Sequence, residues 1–268
     1  MSKFRRVLLA LFLITLVSSE VMAKTIVDTT KSNKTKVKEM NGTTVIDIDT
    51  PNSKGVSVNY FKHFDVEKNG TVLNNSNSDY VTSKGLKISK NENLSSNEAK
   101  VALLKVNGTE KSALKGLLEA ASGSELDVYI SNENGLVVDG LTLENIRKAV
   151  LTTGKIDDNL NITVEKGDIR ITKNGLSGSK FIDLLTVKLI NEGKIKANDE
   201  VRVILGSNNN DAKVDASKLG SMYSNKITIS SPNKFLNVDT HELLSKESTN
   251  IDIQGLSLIH IWRCRRRG

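Results

Sequence analysis

Residues 126–155 read LDVYISNENGLVVDGLTLENIRKAVLTTGK and show most clearly the pattern from which the fold class is predicted. Its β-prone runs at 126–130, 135–138 and 149–151 are short and are separated by clusters of Asn, Gly, Asp and Thr. Short runs between turn formers predict β-strands. The pair Asn134-Gly135 predicts a tight turn, because both residues tolerate a positive φ.

The same pattern continues on both sides of this stretch. Asn-Gly pairs recur at 41–42, 69–70, 107–108 and 174–175. Proline is nearly absent, with 2 residues in the chain. The other predicted strands lie at 45–48, 56–58, 71–73, 86–88, 101–106, 162–164, 169–171, 200–205 and 226–229. We therefore expect an all-β protein of many short strands.

Two all-β architectures suit such strands: a sandwich or barrel, and a β-solenoid. A solenoid stacks aliphatic side chains and needs few aromatic ones, whereas a sandwich core uses aromatic anchors. No strict repeat is visible, so composition leaves both open. The aromatic residues between 24 and 256 are Tyr60, Phe61, Phe64, Tyr80, Tyr129, Phe181, Tyr223 and Phe235. Residues 110–121 (EKSALKGLLEAA) have helical composition, so either a short helix forms there or tertiary context overrides it.

The first 23 residues have the features of a cleavable secretory signal. Lys3, Arg5 and Arg6 precede an apolar run at 7–17, and Val21-Met22-Ala23 resembles a cleavage site. We predict cleavage after Ala23. The alternative, a signal-anchor, is disfavoured because a membrane-spanning helix needs about 20 apolar residues.

The last residues, 257–268, read SLIHIWRCRRRG and differ in composition from the rest. They contain the only Trp and the only Cys of the chain, Trp262 and Cys264. We predict that this tail is not native, rather than a basic tail that binds nucleic acid or membrane. Tail and signal contribute +4 and +2 of the formal charge of +7, so about +1 belongs to the mature body. That charge gives no reason to expect nucleic-acid binding, and a cysteine-free body excludes a disulfide-stapled domain.

No motif predicts catalysis, a cofactor or a metal. His63 and His241 lie far apart in sequence, and partial burial of His63 among aromatic residues is favoured over ligation. The run 208–211 (NNND) could suggest Ca²⁺, but without the EF-hand spacing a solvated loop is favoured. A carbohydrate-active β-helix enzyme remains an alternative. Such an enzyme would need acidic metal ligands and a basic catalytic residue on one face of the β-helix. The sequence offers few arginines for that role, because the only ones between residues 24 and 256 are Arg147, Arg170 and Arg202.

Read in order, the distinctive strings resemble one family. They are NGTTVIDIDTPNSKGVSVNYFKHFDV (41–66), GTVLNNS (70–76), NENLSSNEAKVALLKVNG (91–108), residues 126–155, ANDEVRVILG (197–206) and LGSMYSNKITI (219–229). This order resembles the N-terminal secretion domain of two-partner secretion exoproteins, which include filamentous haemagglutinins, large adhesins and contact-dependent growth inhibition proteins.

The family's signature turns, N-P-N-L and N-P-N-G-[IL], have counterparts in which glutamate replaces proline. The resemblance makes these turns the candidate secretion motifs. Their residues are Asn91, Asn93, Leu94, Asn132, Asn134, Gly135 and Leu136. A type I turn tolerates most residues at its second position, so both turns can form without proline.

The resemblance implies a right-handed, single-stranded parallel β-helix of the pectin-lyase type, with an N-terminal cap and extra-helical β elements. It also implies a secreted or surface-exposed protein without enzymatic activity or cofactor. Expected partners are the Sec machinery and the periplasmic POTRA-type domains of an outer-membrane transporter. Host cells or neighbouring bacteria would be reached through the passenger, and the passenger is either adhesin-like or a toxin-delivery protein. No nucleic-acid partner is expected.

The expected order along the chain follows. We predict a signal peptide at 1–23, a polar and poorly ordered lead-in at 24–40, and the secretion domain at 41–240. The start of a truncated passenger is expected at 241–256, before the foreign tail at 257–268.

Overall fold

The computed structural model describes residues 25–31, 34–95, 97–206, 212–231, 235–253 and 256–266, and in these ranges all regular structure is β. Each predicted run contains strand residues. The strands are β1 (Ile26–Val27), β2 (Lys36–Met40), β3 (Thr43–Asp47), β4 (Val56–His63), β5 (Thr71–Asn74), β6 (Tyr80–Val81), β7 (Lys87–Ile88), β8 (Val101–Val106), β9 (Ser112–Leu114), β10 (Leu117–Ala121), β11 (Leu126–Asn132), β12 (Leu136–Val138), β13 (Leu141–Glu144), β14 (Ile146–Thr152), β15 (Lys155–Ile156), β16 (Ile162–Thr163), β17 (Asp168–Ile171), β18 (Leu176–Thr186), β19 (Lys188–Asn191), β20 (Lys194–Leu205), β21 (Ala212–Ser231), β22 (Phe235–Ile253) and β23 (Leu256–Arg266).

Successive strands pair in parallel with strands one coil away and build three faces. Face A stacks β4, β8, β11, β14 and then the later parts of β18, β20, β21 and β22. Face B stacks β3, β5, β10, β13 and then the earlier parts of β18 and β20. Face C stacks β9, β12, β17, β19 and the beginning of β21. The chain is therefore a parallel β-helix.

Each coil of this β-helix passes through faces B, A and C in turn. The first coil contains β3 and β4 and reaches face C at Val66, which bridges to Leu114. The second contains β5, β8 and β9, the third β10, β11 and β12, and the fourth β13, β14 and β17. The fifth contains β18 and β19, and the sixth begins with β20.

Aliphatic columns along the axis form the core. On face A, the register aligns Leu104, Ile130, Leu151, Leu184 and Val203, all at most 1% exposed. Because strand side chains alternate between the two faces of a sheet, every second residue joins such a column. Columns of Leu, Ile and Val leave little need for aromatic anchors. The solenoid prediction is thus confirmed, and the sandwich alternative is wrong.

The helical alternative for residues 110–121 is wrong, because β9 and β10 occupy this segment. Leu114 and Leu118 are both fully buried in the main core. Only the extended conformation places them in register with the preceding coil, where Leu118 lies opposite Thr71. Tertiary pairing here overrides helical propensity.

The predicted poorly ordered lead-in is also corrected, because its described residues form a cap over the first coil. β2 pairs antiparallel with β3, and β1 pairs antiparallel with β4. Val27 and Val37 pack against the main core. Within the described residues no coil precedes the first one, and this cap covers its apolar end. The need for that cover explains why so polar a segment forms strands.

Two hairpins leave the helical path and cover its outer surface. The β6–β7 hairpin packs Ile88 and Leu86 against Val45, Val72 and Ala121 on face B. The β15–β16 hairpin packs against face A. These insertions make the coils unequal in length, which explains why no strict repeat is visible in the sequence.

The C-terminal part continues the β-helix past the predicted boundary at 240, because β22 runs unbroken to Ile253 and pairs with β21. β23 pairs with β22 and includes most of the tail predicted to be foreign. The origin of that tail stays a prediction. The predicted signal peptide lies outside the described residues. Within the described part of the chain, no helix is long and apolar enough to cross a membrane.

Candidate functional site

The first candidate turn, Asn91-Glu92-Asn93-Leu94, lies between β7 and β8. The Asn91 carbonyl oxygen accepts the N–H of Leu94 at 3.0 Å, which closes a β-turn. The Asn91 side-chain oxygen accepts the N–H of Asn93, also at 3.0 Å. Asn91 is 1% exposed. Its side chain therefore fixes the turn from within.

This turn ties three separate segments together. Asn91 Nδ2 donates to the carbonyl oxygens of Ile48 at 2.9 Å and Asn74 at 2.8 Å. Asn93 Nδ2 donates to the carbonyl oxygens of Ile48 at 2.9 Å and Lys34 at 2.8 Å. Lys34 belongs to the cap, Ile48 follows β3 of the first coil, and Asn74 ends β5 of the second. The two asparagines thus join the cap to the first two coils.

The second candidate turn, Asn132-Glu133-Asn134-Gly135, repeats this geometry between β11 and β12. The Asn132 carbonyl oxygen accepts the N–H of Gly135 at 3.0 Å. The Asn132 side-chain oxygen accepts the N–H of Asn134 at 3.0 Å. Gly135 has φ 123°, a region that residues with a Cβ rarely adopt.

The second turn also connects neighbouring coils. Asn132 Nδ2 donates to the Glu110 carbonyl oxygen at 2.9 Å and to Ser112 Oγ at 3.0 Å. Asn134 Nδ2 donates to the Gly108 carbonyl oxygen at 2.7 Å. Residues 108–112 lead into β9 of the second coil, whereas the turn belongs to the third. The bonds thus hold the corner between faces A and C.

Burial limits what the two turns can do in the folded molecule. Asn91, Leu94, Asn132 and Leu136 are 1%, 7%, 0% and 0% exposed. A buried amide that satisfies backbone carbonyls stabilises the fold and cannot at the same time be recognised by a partner. The predicted residues form two matching turns at separate corners of the first three coils, not one shared pocket.

The glutamates that replace the family prolines differ in their surroundings. The Glu92 side chain is 75% exposed and lies 3.6 Å from Lys90. The Glu133 side chain is 33% exposed and lies 3.8 Å from Lys155 and 3.7 Å from Lys166. Ion pairs this long and exposed contribute little to stability.

Glu92→Pro is expected to raise the free energy of unfolding by about 0.4–1 kcal/mol, because proline restricts the unfolded chain. The turn uses the N–H groups of Asn93 and Leu94, so proline at 92 removes none of these bonds. Urea denaturation checks the prediction. Glu133→Pro is the comparison and should gain less, because it also loses both lysine contacts. A destabilised Glu92→Pro variant would mean that residue 92 does not have the φ that proline requires.

Of the two candidate ligand sites considered from the sequence, the structure describes His63 but not residues 208–211. The His63 side chain is 12% exposed, with Nε2 at 2.9 Å from Asp65 and Nδ1 at 3.6 Å from Glu110. The expected partial burial of His63 is thus confirmed, with carboxylates as its polar partners. Among the described residues, no group of three His, Cys, Asp or Glu side chains is placed to hold a metal. Residues 208–211 lie outside the described ranges.

Several buried polar residues were not predicted from the sequence. Each lies between segments distant in sequence, so its local sequence carries no signal of burial. Asp65 is 2% exposed, and its Oδ1 accepts the N–H of Ala113 at 2.7 Å. Glu119 is 1% exposed and accepts the N–H of Ser83 at 2.8 Å. These carboxylates hold loops in place and do not converge on a shared site.

Shifted pKa values also reflect the turns. A hydrogen bond from Thr172, followed by one from Asn174, lowers the pKa of Asp139. A hydrogen bond from Asn161 lowers the pKa of Asp157. An open polar cleft of about 450 Å³ includes Glu125, whose carboxylate pairs with Lys180 at 2.6 Å. In the described residues, the asparagines of both candidate turns bond to backbone carbonyls of neighbouring segments and thereby stabilise the corners between the faces.

The chain is similar in sequence to several much longer proteins. The chain is 33% identical to "Toxin CdiA" of Yersinia pestis over 219 residues, which is 73% of this chain and 7% of that protein. It is 32% identical to "tRNA nuclease CdiA" of Yersinia mollaretii over 85% of this chain and 8% of that protein. It is 29% identical to "Filamentous hemagglutinin" of Bordetella pertussis over 79% of this chain and 7% of that protein. The chain therefore spans less than a tenth of the length of these relatives.

A solved structure shows the same fold. The crystal structure of the filamentous hemagglutinin secretion domain superposes with a TM-score of 0.79, covering 90% of this chain and 96% of that one at 24% identity. The family model described as the TPS (two-partner secretion) secretion domain matches residues 23–259. This match extends beyond the predicted range of 41–240 at both ends. The chain belongs to the family of TPS secretion domains.

Proposed function

We propose that this chain is the secretion-targeting domain of a large exported surface adhesin of the haemagglutinin type. The observation that carries the proposal is the family match over residues 23–259, on a β-helix whose curated relatives are far longer proteins. The domain would be recognised by its cognate outer-membrane transporter and would nucleate β-helix folding outside the cell. It would carry no enzymatic activity of its own.

A second candidate is the targeting domain of a contact-dependent toxin-delivery protein. Its support is that relatives named as CdiA toxins match this chain at 32–33% identity. The targeting step is the same in both cases, and only the passenger differs. Sequencing the DNA that follows codon 256 is the measurement that separates the two candidates.

The proposed partners follow from the two membranes to be crossed. Residues 1–23 would engage the Sec machinery and be cleaved after Ala23. In the periplasm, exposed strands of the still unfolded chain would add to sheet edges of the transporter's POTRA-type domains. Outside, each new coil buries apolar side chains against the preceding one, so folding favours outward movement.

The structure gives this nucleating role a physical basis. The cap covers the starting end of the β-helix, where Val27 and Val37 pack on the main core. A capped start lets further coils be added in one direction only, as sequential folding requires.

Co-expression with the cognate transporter tests the proposal. We expect the chain in the culture medium when the transporter is present, and in the periplasm when its gene is deleted. A variant lacking residues 1–23 is the control and should remain in the cytoplasm. Secretion that is unchanged without the transporter would refute the proposal.

The carbohydrate-active alternative is tested separately. We expect purified protein to be inactive in a screen of lyase and hydrolase substrates. Activity that is abolished by substitution of one carboxylate, with the fold preserved, would overturn the non-enzymatic proposal.

A further inference from the structure

An apolar surface lies outside the core on face A. Val56 and Leu103 are 6% and 1% exposed, yet they belong to a cluster separate from the main core. On β8, Leu103 alternates with the core residues Ala102 and Leu104 and therefore points outward. Val58, Val101 and Tyr129 pack on the same cluster. Without a cover, this surface would expose apolar side chains of three adjacent coils.

The β15–β16 hairpin is that cover. Ile156 is 3% exposed, and Ile156, Leu160 and Ile162 all contact the outer cluster. Ile156 pairs with Ile162, so these two side chains lie side by side on the hairpin. The hairpin thus presents an apolar surface that matches the apolar surface of the coils.

The loop of the hairpin is held in one shape. Asp157 Oδ1 accepts the N–H groups of Asn159 at 2.8 Å and Asn161 at 2.9 Å. The Leu160 N–H donates to the Asp157 carbonyl oxygen at 3.1 Å. Leu160 has φ 64°, an unfavourable conformation for a residue with a Cβ. Packing of the Leu160 side chain on face A offsets this strain.

The hairpin contacts coils that are not adjacent to its own coil along the β-helix. The hairpin leaves the helical path after β14 of the fourth coil, whereas Val56 lies in the first, Leu103 in the second and Tyr129 in the third. Lys54 Nζ, just before β4, donates to Asn159 Oδ1 at 3.0 Å. In an ordinary solenoid each repeat contacts only its neighbours, so stability is a sum of local terms.

We propose that the β15–β16 hairpin is a strap that converts the first four coils into one cooperative unit. The strap can dock only after the outer surface of the first three coils has formed and after residue 163 is available. Its docking then suppresses local opening of coils that lie far upstream in sequence. Later coils, beyond the reach of the strap, keep the nearest-neighbour stability of a solenoid. This inference rests on the fold and is independent of the transporter.

Amide hydrogen exchange of the full chain, measured by mass spectrometry, tests the strap with Leu160→Ser. We expect exchange in β4 and β8 to accelerate about tenfold, because the substitution removes the packing of the partly buried Leu160 side chain on the outer cluster. Exchange in β20 of the sixth coil should be unchanged. The matched control is Asp158→Ser, which alters an exposed residue of the same loop and should change neither region.

Two results would overturn the proposal. Faster exchange confined to residues 153–166 would show that the hairpin does not stabilise the upstream coils. Equal acceleration in β4 and β20 would show that the entire chain is one unit without a strap. If Leu160→Ser does not fold, Ile162→Thr provides a milder change at a partly buried strand position and is judged by the same comparison of β4 with β20.

Discussion

Asn132→Ala is expected to lower the free energy of unfolding by about 2–4 kcal/mol, because one buried and two partly buried hydrogen bonds are lost at once. The Glu110 carbonyl oxygen and Ser112 Oγ lose a donor, and the N–H of Asn134 loses its acceptor. Asn132 is fully buried, so water cannot replace these bonds without opening the corner. Urea denaturation followed by circular dichroism measures the loss.

Asn69→Ala is the control, because Asn69 is an exposed residue in another turn that ends in glycine. Its loss of stability should stay within about 0.5 kcal/mol. If Asn132→Ala costs no more than this control, the hydrogen bonds of the turn do not hold the corner. The role of Asn132 would then lie in the unfolded chain and not in the stability of the folded domain.

The prediction matters for secretion as well. The folded domain hides Asn91 and Asn132, so a secretion defect in either alanine variant has two separable causes. A variant that folds less stably but still reaches the medium would assign the asparagines to folding after export. A variant whose free energy of unfolding is unchanged but which stays in the periplasm would assign the asparagines to recognition of the unfolded chain. Measuring both quantities on the same proteins distinguishes these roles.

The parts of this fold that local sequence determines were predictable, and the parts that depend on pairing between distant residues were not. The pairs Asn132–Asn134 and Asn91–Asn93 are local turn signals, and the structure places a tight turn at both. Residues 110–121 show the limit: local composition favours a helix, and only the register with β5 makes the segment a strand. The cap shows the same limit, because its order depends on an apolar coil end that is distant in sequence.

The spacing of five glycines marks the coils of the β-helix, a signal that local strand and turn patterns do not contain. Gly70, Gly116, Gly140, Gly175 and Gly193 all lie at the corner between faces C and B. Their backbone carbonyls or N–H groups bond to neighbouring coils, as in Thr142 N–H to the Gly116 carbonyl oxygen at 3.0 Å. Their spacing in the sequence is uneven because β6–β7 lies between the first two and β15–β16 between the third and fourth. Allowing for inserted hairpins, the glycines would have marked the coils.

Gly116→Ala is expected to lower the free energy of unfolding by about 3 kcal/mol, the upper range for an overpacked site. A Cβ at residue 116 would lie 2.1 Å from the Glu67 carbonyl oxygen and 3.0 Å from that of Lys68. Both oxygens belong to the backbone of the first coil and cannot rotate away as a side chain would. Relief requires residues 115–116, at the end of the second coil, to separate from residues 66–68, at the end of the first, which weakens the bond from Lys115 N–H to the Val66 carbonyl oxygen at 2.7 Å.

Gly123→Ala is the matched control for this substitution, because the nearest atoms to its Cβ would be the Glu98 carboxylate oxygens at 3.5 Å. Its φ does not lie in the positive region, so alanine adds neither strain nor a clash. The two variants add the same methyl group to the same chain, and denaturation midpoints compare them directly. A large difference between them means that close approach of adjacent coils at the glycine corner sets the geometry of the β-helix. Equal stability would mean that this corner yields, and that the coils are held in register by the buried columns alone.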